Sequence, residues 1–226
     1  MRRSERLIRS GAKRPVLSAL LLLSAVICTP LAIRALEVDE PNAQDRQIVR
    51  TIAKRMKLFH LSNQDMDDDI SKKGFQLYLK SLDPSKMYFY QSDIDEFGAS
   101  ADELDDLAKS GDLSFAFAVF NRFLKRIEER LVVINQLIES EHDFTLDEVM
   151  MTDSDELEFA KNPAELKDRW RKRIKYSMLV EKSEETANED AKNKLHRRYT
   201  SFAKRMNQFD AEEVTELFLT SLTTAY

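Results

Sequence analysis

Serine is the side chain through which this sequence could most readily do chemistry, because hydroxyls occur all along it. A nucleophilic serine needs a neighbouring base and backbone N–H donors for the oxyanion, commonly on a glycine-containing turn such as Gly-x-Ser-x-Gly. The sequence contains no such turn, and we interpret the serines as capping or solvated hydroxyls. We therefore predict no catalytic residue. The serines to which this applies are Ser62, Ser81, Ser92, Ser110, Ser114, Ser154, Ser177 and Ser201.

Metal ligands are the second kind of chemistry to consider. The acidic run Asp65–Asp69 resembles the start of a calcium loop, but Ile70 stands where that loop needs Gly and Gln76 where it needs Glu. We interpret the run as helix-start acids and predict neither a metal nor another cofactor. The histidines are His60, His142 and His196. Their spacing matches neither His-Glu-x-x-His nor a Cys/His metal motif.

A group of basic residues around Trp170 forms a candidate cationic patch, together with Arg197 and Arg198. The patch could meet an anionic partner. Basic side chains more often form a solvated helix face on which their stems cover apolar surface, and the sequence favours this interpretation. The residues are Arg169, Arg171, Lys172, Arg173 and Lys175.

The first 35 residues have the order of a secretory signal. Basic residues come first, an apolar run follows from Val16 to Ile33, and Ala35 is a small residue suited to cleavage. We predict that residues 1–35 are a signal peptide. The alternative is a retained N-terminal anchor, since a run of about 18 residues is near the lower limit for spanning a bilayer. Cys28, the only cysteine, lies in this run, so the mature chain would have no disulfide or thiol chemistry.

The charge balance argues against a nucleic-acid partner. The sequence has 35 Lys and Arg against 40 Asp and Glu. Residues 1–35 contain seven of these bases and one of the acids, which leaves 28 bases, 39 acids and a net charge of −11 for the mature chain. Nucleic acid requires a basic face, so we predict none among the partners, and a membrane contact only through an uncleaved N-terminal segment.

Apolar residues three and four apart predict helices along the rest of the chain. The clearest stripe extends from Leu113 to Ile138, would span roughly 38 Å, and needs a partner helix along its length. Further stripes predict helices at Ile48–Phe59, Phe75–Leu82, Leu166–Met178 and Leu195–Phe209.

Local signals refine these boundaries. Asp83-Pro84 should end the second helix, Ser92 should cap a third helix that continues to about Ser110, and Leu146–Met151 offers a short helix within an acidic surface segment. Asp210 should cap a last helix whose apolar face reaches the final residue with no cap to close it. We predict that this face is left partly uncovered within the domain. Its residues are Val214, Leu217, Phe218, Leu222 and Tyr226.

These elements predict an all-α fold. Only four glycines are present and none follows Gly111, which disfavours hairpins. We predict an irregular bundle of about six to eight helices over residues 42–226, after a mobile polar segment at 36–41 and the signal peptide.

The order of several short motifs resembles the helical N-terminal domain of bacterial tail-specific proteases, also called C-terminal processing peptidases. The resemblance covers essentially all of residues 40–226. No single motif decides it, but their order and spacing are fairly specific. The motifs are Phe75-x-x-Tyr78-Leu79-x-x-Leu82-Asp83, Tyr88-Phe89-Tyr90, Ser92-Asp93-Ile94 with Phe97, Gly111-Asp112-Leu113, His142-Asp143-Phe144, Trp170 and Arg197-Arg198-Tyr199.

The resemblance implies a context more than a chemistry. In that family an Asp-Pro-His segment, a PDZ domain and a protease domain with a serine and lysine dyad follow the last helix, whereas this sequence ends at Tyr226. The expectation is a non-catalytic domain, truncated before the PDZ and protease domains of a periplasmic serine endopeptidase. Its partners would be those two domains of the same polypeptide, with a lipoprotein adaptor or protein substrates. A stand-alone secreted helical adaptor is the alternative, and an unrelated secreted helical protein a third.

Overall fold

Helices make up the regular structure of the chain. The computed structural model describes residues 37–59, 65–183 and 188–226. The predicted signal peptide lies outside these residues, as do His60 and Ser62. Within the described ranges the one strand-like feature is a parallel bridge between Tyr90 and Ala160, so the all-α prediction is confirmed. The helices are α1 (Ala43–Phe59), α2 (Asp68–Leu82), α3 (Gln91–Gly98), α4 (Leu104–Ser110), α5 (Ser114–Glu139), α6 (Pro163–Ser183), α7 (Asn188–Met206) and α8 (Ala211–Ala225).

The long helix α5 is the centre of the bundle. It packs against α6, α7 and α8, which together provide the partner surface that its stripe requires. Every member of the predicted stripe is buried except Leu131, which is partly exposed. The buried face is wider than the stripe, because Ala116, Val119 and Phe123 are also buried.

Helices α2 and α8 pack along each other. α2 begins at Asp67, whose carboxylate accepts the Ile70 N–H at 3.1 Å, and it ends at Leu82 as predicted. α8 begins with a capping box in which Asp210 and Glu213 each accept the other's backbone N–H at 3.0 Å. Both helix starts that the sequence predicted from acidic residues are therefore confirmed.

The prediction that the apolar face of α8 is left partly uncovered is wrong for three of its five residues, while Leu217 and Tyr226 are partly exposed. Val214, Phe218 and Leu222 are at most 1% exposed, because α2 lies directly against them. Gly74 makes this approach close: a Cβ built there would lie 2.6 Å from Leu222 Cδ2. Deeper in the interface the Tyr78 and Phe218 rings meet edge to face at 5.6 Å.

The third predicted helix is two helices. α3 ends at Gly98, a turn follows, and α4 runs to Ser110, where Gly111 adopts a left-handed φ of 75°. Ser92 lies inside α3 rather than capping it. The true start is Tyr90, whose N–H donates to Asp93 Oδ2 at 3.0 Å. The break between the helices lets both Phe97 and Leu104 reach the core, where they are buried.

Two further details differ from the sequence-based expectation. Residues Leu146–Met151 are not helical. On α1 the buried apolar positions are Val49 and Ala53, while Ile48 is 40% exposed, because α1 turns its face towards α4 and α8. The Val38 N–H, in the segment expected to be mobile, donates to Asn121 Oδ1 of α5 at 3.0 Å. None of the helices in the described ranges is long and apolar enough to cross a membrane.

Candidate interaction surface

Two of the serines and two of the histidines considered form hydrogen bonds with their own helix or with a neighbouring residue. The hydroxyls of Ser81 and Ser110 donate to carbonyls three residues earlier, at 2.7 and 2.8 Å. His142 Nε2 lies 2.9 Å from Leu137 O. His196 lies between Asn135 Oδ1 at 2.9 Å and Glu139 Oε1 at 2.7 Å. These positions do not bring a serine and a histidine together, and the absence of a catalytic residue stays a prediction.

One serine–lysine spacing escaped the sequence analysis. Ser201 and Lys204 stand at the Ser-x-x-Lys spacing of some serine enzymes. Both are exposed on regular helix α7. Backbone N–H groups in a helix interior are already bonded within the helix and cannot stabilise an oxyanion. We assign this pair no catalytic role.

Four of the five basic residues around Trp170 are paired with carboxylates, and Arg173 is the exception within the described residues. Arg171 binds Glu148 and lies 2.8 Å from Asp168, and Lys175 Nζ lies 2.6 Å from Glu148 Oε2. Arg169 and Lys172 are paired as well, with Glu165 and Asp168. The sequence favours a solvated helix face here, and in the structure most of its basic side chains form ion pairs. The candidate cationic patch is therefore not a patch of unpaired positive charge.

The carboxylates come in part from a segment that we call the acidic loop, residues 141–158. It contains Asp and Glu but neither Lys nor Arg. Hydrogen bonds from Arg171 and Lys175 lower the pKa of Glu148 to about 2, against burial that would raise it. Lys175 Nζ also donates to Leu146 O at 3.0 Å. Glu148 is thus the residue that fixes the first half of the loop onto α6.

The second half of the loop is also fixed. Arg169 Nη1 donates to Glu158 O at 2.6 Å, and Lys86 donates to Leu157 O. Immediately afterwards the Gln91 N–H donates to Ala160 O at 2.9 Å. The loop therefore has no helix or strand of its own, but several long-range bonds hold it in place.

The fixed loop presents apolar side chains to solvent. Val149 is 84% exposed, Leu146 58% and Met151 53%. On the neighbouring turns of α6, Tyr176 and Leu179 are also exposed. The sequence predicts only an acidic surface segment here, and its one signal for a surface site is a set of bulky apolar residues within the acidic stretch.

Two adjoining cavities lie between the acidic loop and α6, and we call them together the loop–α6 groove. Their volumes are about 430 Å³ and 200 Å³. Met150 and Lys172 line both. The larger one also has Met87, Met151 and Arg173 in its walls, and the smaller one Tyr176 and Leu179. The walls of the groove carry both apolar and charged groups.

A second polar cluster is structural. Asp93, 1% exposed, binds Arg122 at 2.6 Å and Arg126 at 2.7 Å. Arg126 and Arg130 lie over the Tyr90 ring, at 4.8 and 4.6 Å from its centroid. The cluster ties α3 to α5 and leaves no room for a ligand at Asp93.

A family model described as the tail specific protease N-terminal domain matches residues 52–226. The chain belongs to this family. The matched region of this tail-specific protease N-terminal domain includes α2 to α8, the acidic loop and the loop–α6 groove.

A curated relative gives the scale of the match. The tail-specific protease of Haemophilus influenzae is 30% identical over 166 residues, which are 73% of this chain and 24% of the relative. The chain thus spans about a quarter of the length of that protease.

Proposed function

We propose that this chain serves as the non-catalytic N-terminal domain of a periplasmic tail-specific serine endopeptidase. In that role it packs on the protease body and shapes the access of substrates or of an adaptor. The observation that carries the proposal is the family match, together with the share of the relative that it covers: most of the Haemophilus protease lies outside the matched 24%.

The arrangement of side chains supports a non-catalytic role. A serine hydrolase holds its nucleophile within hydrogen-bond reach of a base and beside oxyanion donors. Here the hydroxyls of Ser81 and Ser110 bond to helix carbonyls, and His196 bonds to Asn135 and Glu139. We infer that peptide-bond cleavage belongs to the protease domain of a longer polypeptide.

Proteolysis assays test the proposal. An unfolded protein with an apolar C-terminus is incubated with the purified chain and, separately, with a longer protein that continues into PDZ and protease domains. We expect cleavage by the longer protein alone. Cleavage by this chain that persists through repurification would overturn the proposal.

A stand-alone secreted adaptor is the second candidate, and one observation favours it. Val214, Phe218 and Leu222 on the apolar face of α8 are buried within this chain, where α8 packs on α2, as a self-sufficient last helix requires. The genomic sequence after the Tyr226 codon separates the two candidates. An in-frame continuation that encodes Asp-Pro-His and a PDZ domain supports the protease domain, and a stop codon supports the adaptor.

A further inference from the structure

We propose that the loop–α6 groove docks a cationic, apolar polypeptide segment, in which Lys or Arg residues flank bulky aliphatic or aromatic side chains. This inference deepens the proposed function and rests on it, since it gives the chemistry of a partner segment whose access the domain shapes. The observations that carry it are the exposed apolar side chains, the anchoring of the acidic loop, and the sign of the charge that remains once the internal ion pairs are counted.

The apolar part of the surface is concentrated in one place. Single exposed apolar residues are normal on a protein surface. Here Leu146, Val149 and Met151 lie within six residues of one loop and adjoin Tyr176 and Leu179 across the groove. Methionine side chains are flexible and polarisable, and so adapt to differently shaped partners. The methionines that line the larger cavity are Met87, Met150 and Met151.

The loop is held in place before any partner arrives. Glu148 is bonded to two basic residues of α6, and the Leu146, Leu157 and Glu158 carbonyls each accept a side-chain hydrogen bond from outside the loop. A segment that is already ordered loses less conformational entropy on binding. An unanchored loop of this length would not keep Val149 in one exposed position.

The charge left at the rim is negative. The basic residues of α6 that line the groove bind carboxylates, with the exception of Arg173, which has no carboxylate partner among the described residues. On the loop, Asp147, Asp153 and Glu156 are exposed and form no ion pair within the described part of the chain. A rim with more free carboxylates than free cations attracts a cationic partner and repels an anionic one. The same sign disfavours an anionic membrane surface.

A peptide-binding experiment tests the proposal. Fluorescein-labelled Lys-Leu-Lys-Phe-Lys-Leu-Lys is titrated with the full chain, purified after export, and binding is followed by anisotropy. The comparison peptides are Glu-Leu-Glu-Phe-Glu-Leu-Glu, which reverses the charge, and Lys-Ser-Lys-Ser-Lys-Ser-Lys, which removes the apolar side chains. We expect both comparison peptides to bind at least tenfold more weakly.

Two groove variants locate the binding. The double variant Val149→Ser/Met151→Ser removes apolar surface, and Asp147→Asn/Glu156→Gln removes charge. Each should raise the Kd of the cationic apolar peptide at least tenfold. Val132→Ser, at a position on α5 that is 60% exposed, and Glu212→Gln, at an exposed position on α8, are the matched controls and should change the Kd less than twofold. All substituted side chains are exposed, and circular dichroism verifies folding.

Three results of these titrations would overturn the inference. They are no measurable binding of the cationic apolar peptide, equal binding of the Glu-containing peptide, or equal losses of affinity in the groove and control variants. Binding to phosphatidylcholine vesicles that is lost in the same groove variants would make the surface a lipid site and would also overturn it. Because the proteolysis assay is a separate measurement, failed docking leaves the proposed protease context standing, and failed proteolysis leaves the docking result standing.

Discussion

Asp93 illustrates how one buried carboxylate holds two helices together. It accepts the Tyr90 N–H at the start of α3 and binds Arg122 and Arg126 of α5. Burial alone would raise the pKa of Asp93, but hydrogen bonds from Arg126, the Tyr90 N–H and Arg122 hold it below its usual value of 3.8. The sequence suggested only that an acid near a helix start suits the helix dipole, because the two arginines lie far along the chain.

The first prediction concerns this residue. Asp93→Asn should lower the free energy of unfolding by about 2 kcal/mol, because it removes the buried carboxylate that both arginines share and leaves Arg122 with Glu96 and Arg126 with Glu129. Asp95→Asn, at an exposed position of the same helix, should change it by less than about 0.5 kcal/mol. Urea denaturation followed by circular dichroism measures both. Equal effects of the two substitutions would show that the Asp93 pairs contribute nothing.

The pH dependence has a definite sign. The folded-state pKa of Asp93 is depressed, so its stabilising contribution is fully present above the unfolded value of 3.8 and is lost as the pH falls through the folded-state pKa. The difference in stability between the wild type and Asp93→Asn should therefore shrink as the pH is lowered through that range. If the difference in stability between the wild type and Asp93→Asn stays constant as the pH falls below the folded-state pKa, Asp93 is not the group whose ionisation stabilises the fold.

The sequence predicts a helix well where apolar spacing and capping residues within the helix define it. It predicts a helix less well where contacts with distant residues define it. The stripes of α2, α5 and α6 follow from apolar spacing, and the buried positions agree with it. The division between α3 and α4 brings both Phe97 and Leu104 into the core, and the tertiary contacts that bury them are not contained in a local pattern. The groove was missed for the same reason: the pair between Glu148 and Arg171 joins residues 23 positions apart.

The second prediction tests the contact between α2 and α8. Replacing glycine with alanine in a helix interior normally stabilises the helix by about 1 kcal/mol. At Gly74 the new methyl group would meet Leu222 Cδ2 at 2.6 Å, and Leu222 is itself buried. Gly74→Ala should therefore destabilise the fold by about 1 kcal/mol net, since overpacking typically costs about 1–3 kcal/mol.

Gly98 is the matched control for Gly74. A Cβ at Gly98 meets nothing within 4 Å, and its φ is not positive. Gly98→Ala should be neutral or slightly stabilising, because it restricts only the unfolded chain. Thermal unfolding of both variants gives the comparison. A stabilised Gly74→Ala would mean that α2 and α8 are further apart than described.

In the molecule as a whole, two groups of buried side chains meet at Tyr88. One lies among α1 to α5, α7 and α8, and the other among α5, α6 and α7. The Tyr88 ring contacts Phe123 on one side and Trp170 on the other, with centroids 5.4 and 5.6 Å apart. The groove lies on the outer side of the second group, and the interface of α2 with α8 belongs to the first. A disturbance of α8 should therefore leave the groove intact.

The third prediction decides whether α8 is stable without another domain. Because Val214, Phe218 and Leu222 are buried against α2, the amides of α8 should exchange hydrogen as slowly as those of α2 in the isolated chain. Phe218→Ala should cost about 3 kcal/mol and accelerate exchange in both helices by roughly a hundredfold, since each covers the other. Thr220→Ala, at an exposed position of α8, should leave both unchanged. Rapid exchange in α8 while α2 stays protected would instead mean that this helix depends on a neighbouring domain, as the unclosed apolar face in the sequence had suggested.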